Sequence, residues 1–352
     1  MEDDTLDDTL DDTPDEPQRW QVYTLADAYL EREPTQWVVD AYFSTETINI
    51  VYGPPASMKS MLLADMCLAT VSGRDWLPGS QPGNKGVHTY QSPALWIDID
   101  NGSRRTHERF AALGKARNMP ADAPFYYVSM PMPPLNANNL DSTLYLMDVI
   151  RGCQARLVII DNLGLITGDV EENSAEMANV MGYLRLIAER TKAALVIVHH
   201  QRKGGANGGR AGDALRGHSS IEAAVDLALH VMRDPDTNVI SIRSTKTRGV
   251  DVPPALAVFN FEHNPGTHDL SIAWFSGQER VRGDNNVRSA ILEIVEEAGQ
   301  ITKTRLAEMT RDRLEGQIGV NSVRGWIDDM LNITGEIITE KGRDNAAIIR
   351  LP

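Results

Sequence analysis

Residues 49–69 read "NIVYGPPASMKSMLLADMCLA". A β-branched run ends at Gly53, a turn of Pro54, Pro55, Ala56, Ser57 and Met58 follows, and an amphipathic helix begins near Lys59. Strand, loop and helix in this order are what a phosphate-binding loop needs. Backbone N–H groups and the helix N-terminus point at the phosphates, the lysine pairs their outer oxygens, and the next hydroxyl reaches magnesium. The pattern GxxxxGK[ST] has glycine before the lysine, and here that position is Met58. Residue 58 contributes mostly its backbone N–H, so a side chain directed away from the ligand is tolerated where the local φ is negative. The stretch predicts a nucleotide site formed by Gly53, Pro54, Pro55, Ala56, Ser57, Met58, Lys59, Ser60 and Met61, with Ser60 as a magnesium ligand.

Three other strand ends carry polar groups suited to the same chemistry. "ARLVIIDNL" (155–163) is a hydrophobic strand ending in Asp161, a carboxylate placed to hold the water shell of a magnesium ion. "ALWIDIDNGSRRTHERF" (94–110) ends in Asp98 and Asp100, from which a general base orients an attacking water. "ALVIVHHQRKGG" (194–205) ends in His199 and His200, polar groups able to sense a γ-phosphate.

From Trp20 to about Gly277, short β-branched runs alternate with amphipathic stretches, the pattern of a mostly parallel α/β sheet. Strands are expected at 47–53, 94–100, 125–130, 156–162, 194–200, 227–233, 239–245 and 256–261, with helices at 58–71, 103–117, 140–153 and 174–192. After residue 283 the character changes to three short helices (286–298, 303–314, 320–332) and a two-stranded ribbon turning at Gly342 and Asp344–Asn345. This reads as a winged helix-turn-helix over 284–352, preceded by a nucleotide-binding core over 19–280.

The chain has 352 residues and a net charge of −15, nine units of which sit in "MEDDTLDDTLDDTPDEPQ" (1–18). That acidic repeat has almost nothing to bury and is expected to be disordered, serving as a solubilising tail, as a DNA-mimicking decoy or as a docking segment. An apolar run of about 20 residues, as a membrane helix requires, does not occur, and the N-terminus is acidic where a targeting signal is basic. A cytoplasmic protein is expected. Cys67 and Cys153 lack metal or redox spacing and read as buried thiols.

Taken together, these segments resemble the RecA-like P-loop ATPases, and among them the plasmid and phage hexameric replicative helicases similar to RepA and, more distantly, DnaB. The resemblance runs from about Trp37 past Thr247. Relatives with a bulky residue before the lysine, of the type GSFKS, match Met58. Asp100 falls at the family's catalytic glutamate and is one methylene shorter. "DNLGLITGDVEENSAEMANVMGYLRLIAERTKAALVIVHHQRKGG" (161–205) is similar to the family's Walker B strand, acidic turn, helix and histidine strand, and "ALRGHSSIEAAVDLALHV" (214–231) to its RGSS helix. "STKTRGV" (244–250) looks like the K-x-R element by which one subunit reaches its neighbour's nucleotide. The resemblance implies an ATP- and Mg2+-dependent enzyme forming a homo-oligomeric ring of six subunits. Arg248 is then the finger supplied in trans, Lys246 its assistant, and Arg216 a second choice or a subunit contact.

DNA contacts are expected in two places. The glycine-rich "QRKGGANGGRAGDALRG" (201–217) carries Arg202, Lys203, Arg210 and Arg216, mobile cations suited to single-stranded DNA phosphates, and the resemblance implies that it lines a central channel. Asn321, Ser322 and Arg324 lie where a recognition helix meets the groove, yet residues 284–352 carry a net charge of −3. DNA binding on one side, and docking of a replication partner or packing within the ring on the other, both stand for this domain. The leading function is an ATP-dependent DNA helicase; the alternative is an ATP-switched DNA loader or a RecA-like recombination or repair ATPase without processive unwinding.

Overall fold

A computed structural model describes residues 22–79, 86–170, 174–200, 219–235, 237–278, 283–314, 318–331, 336–341 and 347–352. The acidic tail, the turn signals at Gly342 and Asp344–Asn345, and the basic loop with Arg202, Lys203, Arg210 and Arg216 lie outside the described residues. Contacts divide the chain between Thr35 and Gln36. In the first unit a four-residue helix, α1 (Leu25–Ala28), is started by a capping box between Thr24 and Asp27.

The second unit opens with a small hairpin, β1 (Trp37–Val39) and β2 (Phe43–Ser44). Its core then alternates β3 (Thr47–Gly53), α2 (Lys59–Ser72), β4 (Ala94–Asp98), α3 (Ser103–Ala116), β5 (Phe125–Ser129), α4 (Leu140–Gly152), β6 (Leu157–Asp161), α5 (Met177–Thr191), β7 (Ala194–His200), α6 (Ser219–Ala224) and β8 (Leu227–Arg233). Three further strands follow, β9 (Val239–Thr247), β10 (Ala255–His263) and β11 (Leu270–Gln278). All the strands from β3 to β11 join one sheet in the order β11-β10-β9-β8-β3-β7-β6-β4-β5.

The expectation of a mostly parallel sheet is met from β5 across to β8, and β8–β9, β9–β10 and β10–β11 pair antiparallel, so the sheet is mixed. β11 was not expected. It is the return arm of a hairpin in which Phe259 lies opposite Phe275.

Central strands are mostly apolar because both faces are covered. Leu157 and Ile159 of β6 enter one core with α2 and α3, while Val158 and Ile160 enter the other with α4 and α5, the two-residue alternation of a strand. A bidentate pair, Arg117 to the buried Asp65 at 2.8 and 2.7 Å, ties the end of α3 to α2. Cys67 is buried as expected; Cys153, capping α4, is only half-buried.

Residues beyond 283 form α7 (Gly283–Ala298), β12 (Ile301–Thr302), α8 (Lys303–Arg313), α9 (Val320–Asp329), β13 (Ile338–Lys341) and β14 (Ala347–Arg350). Ile291, Ile294, Leu306, Val323, Ile327 and Ile349 give this α+β subdomain a hydrophobic core of its own. The expected two-stranded ribbon is a three-stranded sheet, β12-β14-β13, because Ile301 and Thr302 pair with β14. Among the described residues, no helix is long and apolar enough to cross a membrane.

Candidate nucleotide site

Four strand tips meet at the carboxyl end of the parallel sheet. In register, Gly53 lies opposite His200, Asp161 opposite Val198, and Asp98 opposite Asp161. The expected polar groups therefore converge from β3, β7, β6 and β4.

The loop after β3 is shaped by its backbone. A side chain at Gly53 would place its Cβ 2.1 Å from the Val231 carbonyl oxygen of β8, so only glycine fits there. Ala56 and Met58 both adopt left-handed backbone, with φ of 63° and 69°. The condition set for tolerating a side chain here, a negative φ, is thus not met. The chain must turn sharply into α2, and left-handed backbone at residue 58 makes that turn, so methionine bears the strain that glycine avoids. Ser57 and Lys59 keep negative φ, and alternation of this kind aims successive N–H groups into one concavity that attracts anions. Met58 offers no side-chain cap, leaving the first N–H groups of α2 to face a ligand. Its side chain packs against the core instead.

Lys59 is 4% exposed, and its Nζ donates to the carbonyls of Gly53 and Pro54 at 3.0 Å and to Ser57 Oγ at 3.3 Å. Burial lowers its pKa to about 8, against the pull of Asp161. Asp161 is 1% exposed, and neither carboxylate oxygen has a hydrogen-bond partner. Burial raises its pKa to about 6; the Ser60 hydroxyl, near but making no well-formed bond, and Arg109 pull it down, while Asp98 and Asp100 push it up.

Asp98, although equally buried, is saturated. Its Oδ1 accepts from the backbone N–H of Asp100 (3.2 Å) and Asn101 (3.0 Å) and from Asn101 Nδ2 (3.0 Å). Its Oδ2 accepts from the Thr106 and Ser129 hydroxyls. Burial opposes the charge, but these bonds together hold its pKa below the usual carboxylate value. As an acceptor fully engaged, Asp98 is unsuited to act as a base, and β4 ends there, so Asp100 stands on the turn beyond it. Asp100 is exposed, 3.9 Å from His200 Nε2. Burial and Lys59 lower the His200 pKa while Asp100 raises it. His199 is buried, one step back along β7.

Arg109 was not foreseen. It lines the same cleft as Ser60, Asn101 and Asp161 and donates to Asn101 Oδ1 at 2.8 Å. Its signal was spacing: Thr106 and Arg109 stand three apart on α3 and turn together toward the Asp98 turn.

Lys246 and Arg248 are not brought to this cleft. β9 runs antiparallel to β8, so both lie near Leu227 and Ala228, at the opposite end of the sheet. There the Lys246 ammonium and the Arg248 guanidinium donate to the Glu222 and Ala223 carbonyls that end α6. Arg248 also pairs with Asp226 at 3.5 Å, a carboxylate already held by Arg185 at 2.6 Å. Arg324 lies on α9; Asn321 and Ser322 share that helix, their side chains outside the described residues.

A family model described as an AAA domain matches residues 11–206, more than half of the chain. The chain belongs to the AAA-domain family of ATPases. No curated protein matches it. The matched span of the AAA domain includes the phosphate loop, Asp98, Asp100, Asp161 and both histidines; Lys246, Arg248 and the C-terminal subdomain lie beyond it. The residues that the fold gathers at the carboxyl end of the sheet fall within this matched ATPase span.

Proposed function

We propose that this AAA-domain protein is a magnesium-dependent ATPase that assembles as a ring and moves on single-stranded DNA, as a helicase of the plasmid and phage replicative kind. The observation that carries the ATPase reading is the buried Asp161 carboxylate, with no donor on either oxygen, beside Lys59 and Ser60. A phosphate chain would draw the Lys59 ammonium off its neutral carbonyl partners, and the loop N–H groups would take the remaining phosphate oxygens. Asp161 and Ser60 fit magnesium: among the described residues no cluster of three or more His, Cys, Asp or Glu forms a cage, and magnesium favours one or two protein ligands with phosphates and water. Bound there, it would neutralise phosphate charge. Asp100 orients the attacking water, with His200 beside it to sense the γ-phosphate.

Ring assembly and DNA are supported by placement and sequence. Arg248 and Lys246 stand away from their own chain's site, which suits use in trans, and the basic glycine-rich loop follows directly after His200. A specific observation favours the second reading, an ATP-switched DNA loader with slow turnover: Asp100 has a shorter reach than glutamate and lies beside His200.

The deciding experiment measures ATP hydrolysis with and without single-stranded DNA over a range of protein concentrations, for wild type, Lys59→Ala and Arg248→Ala. The motor reading expects stimulation by DNA and loss in both variants, unrescued by concentration. Tight ATP binding with little turnover and no stimulation would leave the loader.

A further inference from the structure

We propose that Arg109 is a positioning residue for hydrolysis, acting within its own subunit by fixing, through Asn101, the turn that carries Asp100. This rests on the ATPase reading above. The turn between β4 and α3 is pinned at one point, Asp98 Oδ1, which gathers the N–H groups of Asp100 and Asn101 and the Asn101 side-chain amide. Arg109 holds the other end of that amide at 2.8 Å. Asn101 is thus a bridge between a cation and an anion, donating to Asp98 and accepting from Arg109. Bonds to charged partners are shorter and stronger than neutral ones, so both ends of the amide are held firmly. What the bridge immobilises is the backbone on either side of Asp100, whose own side chain is exposed.

Two other arginines, one on the helix and one at its C-terminal cap, do different work. Arg104 is exposed beside Asp269, and Arg117, capping α3, pairs with the buried Asp65. Among the described residues Arg109 forms no ion pair within 4.0 Å, although it is half-buried in a cleft with Asp161. An arginine kept for stability alone would be expected on a carboxylate, as Arg117 is; one bonded to a neutral amide beside a reactive turn holds geometry.

The test compares wild type, Arg109→Gln, Arg109→Lys and Asn101→Ala, each alone and combined with Asp100→Asn, by ATP turnover, nucleotide Kd and thermal melting. Arg109→Gln and Asn101→Ala should each lower kcat on the order of 10- to 100-fold, with Kd unchanged within about threefold, since a small misplacement of a reacting group has that cost. In the Asp100→Asn background neither should lower kcat by more than about twofold further, because residues acting as one unit are non-additive. Arg109→Lys should recover part of the rate. Equal losses in both backgrounds, loss of nucleotide affinity in proportion to kcat, or unchanged kcat in Arg109→Gln and Asn101→Ala would overturn the proposal. Should Arg109→Gln fail to fold, Asn101→Ala breaks the same bridge without touching the arginine. A wild-type chain that binds ATP without turning it over would overturn the ATPase reading and this inference together, whereas a normal wild type with an unaffected Arg109→Gln overturns the inference alone.

Discussion

The tips of β4 and β6 lie side by side, Asp98 opposite Asp161, and each residue is 1% exposed. One carboxylate collects donors from Asp100, Asn101, Thr106 and Ser129; the other has none. Burial pushes Asp161 up to about 6, while hydrogen bonds hold Asp98 below its ordinary value. The difference teaches that burial of a charge does not mark a site by itself. A carboxylate that the fold satisfies builds structure, and one that the fold buries without donors waits for a partner.

Substitution can break this comparison. The largest expected effect is on turnover: Asp161→Asn and Lys59→Ala should each cut ATP hydrolysis by about 100-fold or more, read as phosphate release at saturating magnesium. Asp98→Asn should instead act on stability, costing about 2–4 kcal/mol in urea unfolding, because an amide group would present donors to donors.

Asp161→Asn should move stability the other way. A carboxylate with a folded pKa of about 6 and an ordinary value of 3.8 binds protons more readily folded than unfolded, so its charge opposes folding above pH 6. The variant should therefore gain up to ~3 kcal/mol at pH 7, and the gain should vanish as pH falls from 6 toward 4.

A third contrast lies at His230, whose ring packs at a tilt against Tyr52 with centroids 4.8 Å apart and which feels the charges of Arg243 and Lys59. Burial lowers its pKa to about 4, so its contribution is present above pH 6.5 and is lost as pH falls from 6.5 to 4. His230→Phe should flatten that stretch of the stability profile by about 3 kcal/mol.

The smallest effect is expected at Met58. Met58→Gly relieves about 1 kcal/mol of left-handed strain and surrenders the packing of the methionine on the core, so melting should shift by less than about 3 °C with ATP affinity kept.

Much of this was legible in the sequence. Apolar runs covered on both faces read as parallel strands, and β3, β7 and β8 occupy the expected residues. The convergence of the loop with Asp161, Asp100 and His200 followed from their positions at strand ends. β11 was missed although "LSIAWFSGQ" alternates, and only its pairing with β10 secures it. The sign of φ at Met58 was not legible because it depends on how the loop enters α2, a three-dimensional demand. Which of Asp98 and Asp161 would be satisfied was not legible either, since the donors come from Asn101, Thr106 and Ser129 across separate elements.

The most direct measurement pairs magnesium-dependent ATP hydrolysis with thermal melting for wild type and Asp161→Asn in one buffer at pH 7. The account predicts that the variant loses hydrolysis while melting at or above the wild-type temperature. A variant that hydrolyses ATP normally, or one that loses activity only because it melts well below wild type, would contradict the claim that Asp161 is the carboxylate this fold keeps for its ligand.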